Sequence, residues 1–432
     1  MSKVLNQMPN LSRRHVLGSA GLLGLFAAMP GYAQAMATGD FALIRSQVED
    51  YVSSKKVAGM LVSLGFGAQD AALIGAGNLA LDIPTPVGAD SLWRVYSMTK
   101  PIMGMAAMIL IEQGKLGLDQ PIAEFIPEFA QMKVLTDPAN SLDSVAAKTM
   151  ITPRQLMTHT AGLGYNIVTK GPLLEEYNKL GINPAAVSKT PIPGFPMPAP
   201  TPSIDEFARR VASLPLIAEP GSIWSYSIGL DLLGYVIQVA SGMELGSFVQ
   251  QNLFGPLGMT SSFWTVPQSE VSRLSTNYAP FAGALIPIDP AQDSIFTTQP
   301  AFPFGGAGLV TSARDYDRFL AMLVGKGQLN GTRVMSERTA LMGMSNLLPD
   351  TAVTKGTWVE DQGFGAGGRV GLGNAKGPAG TYGWGGAAGT VAFVDHIRGI
   401  RASGYTQYMP AESYPFQREF PKMIYDQLQA MG

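Results

Sequence analysis

Ser97-Met98-Thr99-Lys100 puts a hydroxyl three residues ahead of an amine. On the first turn of a helix, residues at that spacing share a face, so the two side chains can meet. A serine hydroxyl is a weak nucleophile at neutral pH and needs a neighbouring base. A lysine in dry surroundings gives up its proton more readily than one in water, so it can serve. A helix N-terminus adds a partial positive field where an alkoxide or oxyanion develops. The spacing points to covalent acyl transfer, with Ser97 as nucleophile and Lys100 as its activating partner; the competing reading is a serine that only caps a helix. Ser53-Ser54-Lys55-Lys56 repeats the spacing. That copy ends an amphipathic stretch beside a second lysine, where both ammonium groups stay hydrated.

Other nucleophiles and bases are scarce. With no cysteine there is no thiol chemistry and no thiolate metal site. The three histidines are His15, His159 and His396, too few for a histidine-rich metal centre. Neither His159, after a short helix, nor His396, beside Asp395, reads as a triad base; both fit structural roles. No G-x-S-x-G elbow follows the leader, which argues against an α/β-hydrolase. No metal or cofactor is called for.

Several elements must position Ser97. Asp40–Lys56 has apolar residues at helical spacing. Gly59–Phe66 and Ala71–Leu79 read as a strand hairpin, and Leu92–Tyr96 as a short extended run into a helix from Ser97 to Gln113. Thr152–Thr158, Ser203–Leu214, Ile228–Ala240, Leu245–Leu253 and Ser312–Val324 have helical patterning, with Ser203 and Glu206 spaced as a capping box. Strand-like runs return at Gly389–Val394 and Gly399–Tyr408, before a last helix near Tyr414–Gln429. The pattern predicts an α+β fold. One antiparallel sheet draws on both chain ends and is flanked by the terminal helices. Residues 36–96 and 300–432 form this discontinuous unit, and 97–299 a mainly helical one. The proline-rich stretch 184–202 cannot be regular helix or central strand; it reads as a cleft lining or an inert loop.

Trp93 to Phe129, with Ser-Met-Thr-Lys-Pro and Gly114-Lys115-Leu116-Gly117-Leu118-Asp119, resembles the serine β-lactamase and penicillin-binding-protein superfamily. It is most similar there to the β-lactamase-like carboxylesterases, the family VIII esterases. Leu156–Leu163, Trp224-Ser225-Tyr226-Ser227, Gly305–Leu309 and Trp384-Gly385-Gly386 fit in order. The resemblance implies a β-lactamase/DD-peptidase-like fold and a tyrosine, Tyr226, beside the serine and lysine. A phenol becomes a usable base if a cation lies close, so whether Lys100 or Tyr226 takes the serine proton stays open. It also implies an oxyanion hole from the Ser97 and Ala387 amides. Two departures stand out. Ile228 occupies a place where lactamases often carry Asn, and no K-[ST]-G occurs in the chain. Trp384-Gly385-Gly386 stands in its place as a substrate-binding segment, with an indole wall instead of a cation and glycines that allow close backbone approach.

Ser12-Arg13-Arg14-His15-Val16-Leu17, an apolar run to Met29 and Ala33-Gln34-Ala35 read as a twin-arginine signal over residues 1–35. The expected destination is the periplasm or outside, reached through the export machinery, with no stable membrane insertion after cleavage. The formal net charge is −2, which gives no basic footprint for nucleic acid. The leading expectation is a serine carboxylesterase for short-chain or aryl esters, with a small-molecule ester as partner. A β-lactamase or D-Ala-D-Ala carboxypeptidase, and a penicilloyl-binding protein without turnover, are the alternatives.

Overall fold

The computed structural model describes residues 39–183, 187–190 and 201–431. The leader and most of the proline-rich stretch lie outside the described residues. The first helix is α1 (Ala42–Ser53), with Ile44, Val48 and Tyr51 buried. It is followed by β1 (Gly59–Phe66), β2 (Ala72–Ala80) and β3 (Ile83–Pro86). Helix α2 (Thr99–Glu112) carries Lys100 and α3 (Gly229–Ser241) follows Tyr226. The last third holds α4 (Ala313–Val324), then β4 (Gly363–Phe364), β5 (Arg369–Val370), β6 (Thr381–Gly385), β7 (Val391–Asp395), β8 (Ile400–Tyr405) and α5 (Phe416–Ala430).

The strands form one antiparallel sheet in the order β4-β5-β6-β7-β8-β1-β2-β3. The two ends of the chain meet at its centre, where Leu61 pairs with Tyr405 and Phe66 with Ile400. Every residue of β1 is buried, as expected for a strand covered on both faces. Met60, Val62, Leu64 and Phe66 share a core with Phe41, Ile44, Phe416, Phe420 and Ile424 of the terminal helices. Leu61 and Tyr405 belong instead to the core shared with α2 and α4. The two terminal helices are tied together directly. Gln427 of α5 accepts the Leu43 and Ile44 N–H groups at 2.9 and 3.3 Å, capping a helix whose own N-cap residue makes no side-chain cap.

The predicted elements recur with shifts of a few residues, and three differences have physical reasons. The helix expected from Ser97 opens as a 3₁₀ turn over Tyr96–Met98, because Tyr96 holds a φ of 40°. Leu245–Leu253 is α-helical only to Val249 and continues as a π turn over Gln250–Phe254, just before Pro256, which has no N–H to extend the ladder. The region between the sheet segments also contains a hairpin, Asn277–Phe281 with Ala284–Asp289. Its prolines at 280 and 287 hide the strand pattern from a sequence reading.

Candidate active site

Ser97 sits where a three-stranded ribbon hands over to α2. Leu92–Arg94 pairs with Val310–Ser312, which pairs in turn with Ser262–Phe263. Arg94 anchors this handover from inside the protein. Its guanidinium pairs with buried Asp289, donates to Ser275 O and contacts Ser294 Oγ at 3.0 Å. Gln407 Nε2 donates to Arg94 O at 3.1 Å. The next turn is strained at Tyr96, a left-handed position costly for a bulky residue. It is held by the Thr99 hydroxyl, which donates to Tyr96 O at 2.6 Å, and by Asn277 Nδ2, which donates to the Tyr96 phenol at 3.3 Å.

From that turn Ser97 Oγ meets both predicted partners. Lys100 Nζ lies 3.2 Å away and Tyr226 Oη 2.6 Å. Lys100 is fully buried, its Nζ 4.6 Å from the centre of the Tyr226 ring. The Ser53–Lys56 copy fits its expectation: Lys55 is exposed, and Lys56 pairs with Asp50 at 2.9 Å.

Lys100 is aimed by the backbone. Nζ donates to Gly306 O at 2.7 Å, and the N–H of the same Gly306 donates to Asp231 Oδ1 at 2.8 Å. A side chain on Gly305 would collide with Leu230 O and one on Gly306 with the Asp231 carboxylate, so this loop seats on α3 only as glycine. Asp231 is 1% exposed, and its Oδ2 has no partner. Burial pushes its carboxyl up to about 6, against the opposing pull of the Lys100 charge and the Gly306 N–H. Sequence reasoning missed Asp231. The available signal was a lone acid in the apolar run Gly-Leu-Asp-Leu-Leu-Gly, which needs a buried reason.

Trp384, on β6, donates from Nε1 to Tyr226 Oη at 3.4 Å. The Trp358 ring lies 5.1 Å from that of Tyr226, tilted by 41°, and Phe364 lies 5.2 Å from that of Trp384. Tyr165 lies 5.4 Å from Tyr226. Trp358, Phe364 and Tyr165 were not predicted. Ala387 is exposed in the turn from β6 to β7, and its N–H has no acceptor among the described residues. Gly386 and Gly385 also make close contacts inside the protein. A Cβ on Gly386 would strike Val95 O, and one on Gly385 would press on Gln417 at 3.0 Å. The close approach is to the backbone leading into Ser97 and to α5, whose Gln417 Nε2 donates to Gly386 O at 2.6 Å and Thr390 O at 2.7 Å.

His159 touches the site without joining it. Its Nδ1 accepts the Ser227 N–H at 3.1 Å, and its ring packs 4.7 Å from that of Tyr226. Burial, and then the Lys100 charge, hold its pKa well below the ordinary value. A neutral imidazole bonded to Ser227, with no hydrogen bond to Ser97, is not a triad base. His396 lies at the end of β7, away from these contacts, its N–H donating to Gly380 O at 3.0 Å. Among the described residues no group of three or more His, Cys, Asp or Glu side chains could hold a metal ion.

A buried lysine and a phenol meet one serine oxygen, beside a turn with a free amide among the described residues, on a mixed α and β scaffold. The family model named Beta-lactamase matches residues 44–420. Protein Rv1367c of Mycobacterium tuberculosis (strain ATCC 25618 / H37Rv) is 32% identical over 327 residues, covering 72% of this chain and 76% of its own. Esterase EstB of Burkholderia gladioli is 31% identical over 336 residues, covering 73% and 77%. The solved structure of EstCE1, a hydrolase with promiscuous acyltransferase activity, superimposes with a TM-score of 0.72 at 24% identity. It covers 91% of this chain and 99% of its own. The chain belongs to the beta-lactamase family and has the fold of the β-lactamases and penicillin-binding proteins. It is a serine hydrolase with an esterase among its relatives.

Proposed function

We propose that the protein is an exported carboxylesterase that hydrolyses short-chain or aryl esters through an acyl-enzyme on Ser97. The observation that carries this reading is the convergence of Tyr226 Oη and Lys100 Nζ on one serine oxygen, at 2.6 and 3.2 Å. The similarity to an esterase at 31% identity favours an ester over a lactam. Ile228, where lactamases often carry Asn, points the same way.

Ser97 Oγ attacks the ester carbonyl and its proton passes to whichever of Lys100 and Tyr226 is deprotonated at that moment. Two donors on one oxygen leave no acceptor for the serine proton, so one of the pair must first release its own. The amides of Ser97 and Ala387 hold the oxyanion. The C–O bond to the alcohol breaks, and the proton just taken up goes to the departing oxygen. Water then attacks the acyl carbon by the same route in reverse, releasing the acid and restoring the Ser97 hydroxyl. Export through the twin-arginine signal over residues 1–35 would deliver this activity to the periplasm or beyond.

The test is a panel of p-nitrophenyl esters from acetate to laurate beside nitrocefin, for the native enzyme and Ser97→Ala. Steady ester turnover that Ser97→Ala abolishes is the expected result. Nitrocefin hydrolysis exceeding every ester would point to a lactamase. A burst equal to the enzyme concentration with no steady rate would point to a penicilloyl-type binder. Ester turnover that survives in a folded Ser97→Ala variant would overturn the assignment.

A further inference from the structure

The absent K-[ST]-G lysine suggested a cleft wall without a cation. A cation nevertheless stands there, carried by a neighbouring strand. Arg369 opens β5, opposite Gly383 of β6 and Phe364 of β4. Its guanidinium carbon lies 4.9 Å from the centre of the Trp384 ring, the indole that donates to Tyr226 Oη. Its Nε is buried and unpartnered. Among the described residues no carboxylate pairs with it, and no hydrogen bond reaches its two terminal nitrogens.

The contrast with the other arginines set into the protein is informative. Arg94 is matched by Asp289 and Arg401 by Asp317, with the remaining donors bonded to carbonyl and hydroxyl oxygens. Arg369 is half-buried: its Nε is buried without a partner and burial lowers its pKa from the ordinary arginine value, a cost that no protein acceptor among the described residues compensates. Stacking on Trp384 offsets part of that cost. It leaves the planar fork of donors free, and that fork is shaped to take a carboxylate by two parallel hydrogen bonds. The contacts run in series from the guanidinium through Trp384 and Tyr226 to Ser97 Oγ, so two side chains tie the fork to the reacting serine.

We propose that Arg369, stacked on Trp384, is a subsite for a carboxylate borne by the substrate, so that the preferred esters are anionic, such as monoesters of dicarboxylic acids. This rests on the reading of Ser97 as the acylated residue of an esterase. Arg369 is then a specificity-determining residue, touching the part of the substrate remote from the bond that breaks.

The experiment compares kcat/KM for p-nitrophenyl hemiesters of succinate, glutarate and adipate with neutral p-nitrophenyl esters of equal chain length. A second arm compares phenyl acetate with 3- and 4-acetoxybenzoate, which moves the carboxylate to the alcohol side. In at least one arm the anionic-to-neutral ratio should fall by roughly 10–100-fold in Arg369→Gln, the usual cost of a lost charge-assisted hydrogen bond, and recover partly in Arg369→Lys. Separately, sodium glutarate should perturb tryptophan fluorescence at constant ionic strength in the native enzyme and less in Arg369→Gln, because the fork rests on Trp384. An unchanged ratio in both arms together with an unchanged fluorescence response overturns the subsite. If no ester of any charge is turned over, the esterase reading has failed, and the fluorescence response alone decides the subsite. Should Arg369→Gln not fold, Arg369→Lys with the same two readouts replaces it, the expected ratio lying below the native one.

Discussion

Asp231→Asn isolates the electrostatics around Lys100. The Asp231 carboxyl has an ordinary value of 3.8 and is pushed up to about 6 in the folded chain, chiefly by burial, with Lys100 and the Gly306 N–H opposing. Between those values the folded protein holds a proton that the unfolded chain has released. Stability from this group is therefore complete below the unfolded value and is lost as pH rises through about 6. A shift of roughly two units corresponds to about 3 kcal/mol, and a side chain 1% exposed needs no discount for solvent screening. Asn keeps an oxygen for the Gly306 N–H and does not titrate. Urea unfolding of both proteins from about pH 4 to about pH 7 gives a difference curve in which groups common to both cancel. Native stability should fall relative to Asp231→Asn by about 3 kcal/mol across that window. A constant penalty of the substitution displaces the curve without changing its slope. A flat curve, or one rising with pH, would refute the claim that burial outweighs the lysine's attraction.

Lys100→Ala and Tyr226→Phe should each lower ester turnover by roughly 10²–10⁴, the usual loss for an acid–base group, as read by steady-state kinetics on folded variants. Arg94→Leu leaves Asp289 buried without its partner and should cost about 3–5 kcal/mol in chemical unfolding; an unaltered midpoint would show that the Asp289 network is not an anchor. EDTA should leave ester turnover unchanged, and reversible inactivation restored by a divalent metal would contradict the serine mechanism.

The strongly patterned parts of this fold were legible in the sequence. The run Gly59–Phe66 is apolar but for the buried Ser63 because both faces of β1 are covered, and that near-continuity is what a sequence reading detects. The serine–lysine pair was legible for a similar reason: a helical turn fixes the geometry locally. Tyr226 was not legible from its own surroundings, since its place beside Ser97 is set by contacts 129 residues apart. Only the family resemblance singled it out among fourteen tyrosines. Arg369 lies on a strand of two residues between glycines, too short for any periodicity, and its contact with Trp384 exists only once β5 has paired with β6. Gly385 and Gly386 were seen, but not their packing against Gln417 and Val95 O, because a sequence does not reveal which neighbour approaches a glycine.

The way Lys100 is held bears on what it can do. A carboxylate placed directly against a lysine favours the charged amine and discourages it from accepting a proton. Here the carboxylate stands one peptide away: Asp231 takes the Gly306 N–H, and only the carbonyl of Gly306 reaches the amine. A carbonyl dipole fixes where Nζ points while contributing only a partial charge. Glycines at 305 and 306 let that peptide lie against α3 without a side chain forcing it off. The loop thus gives Lys100 direction without a direct ion pair, leaving Nζ 3.2 Å from the Ser97 hydroxyl, where the proposed mechanism needs it.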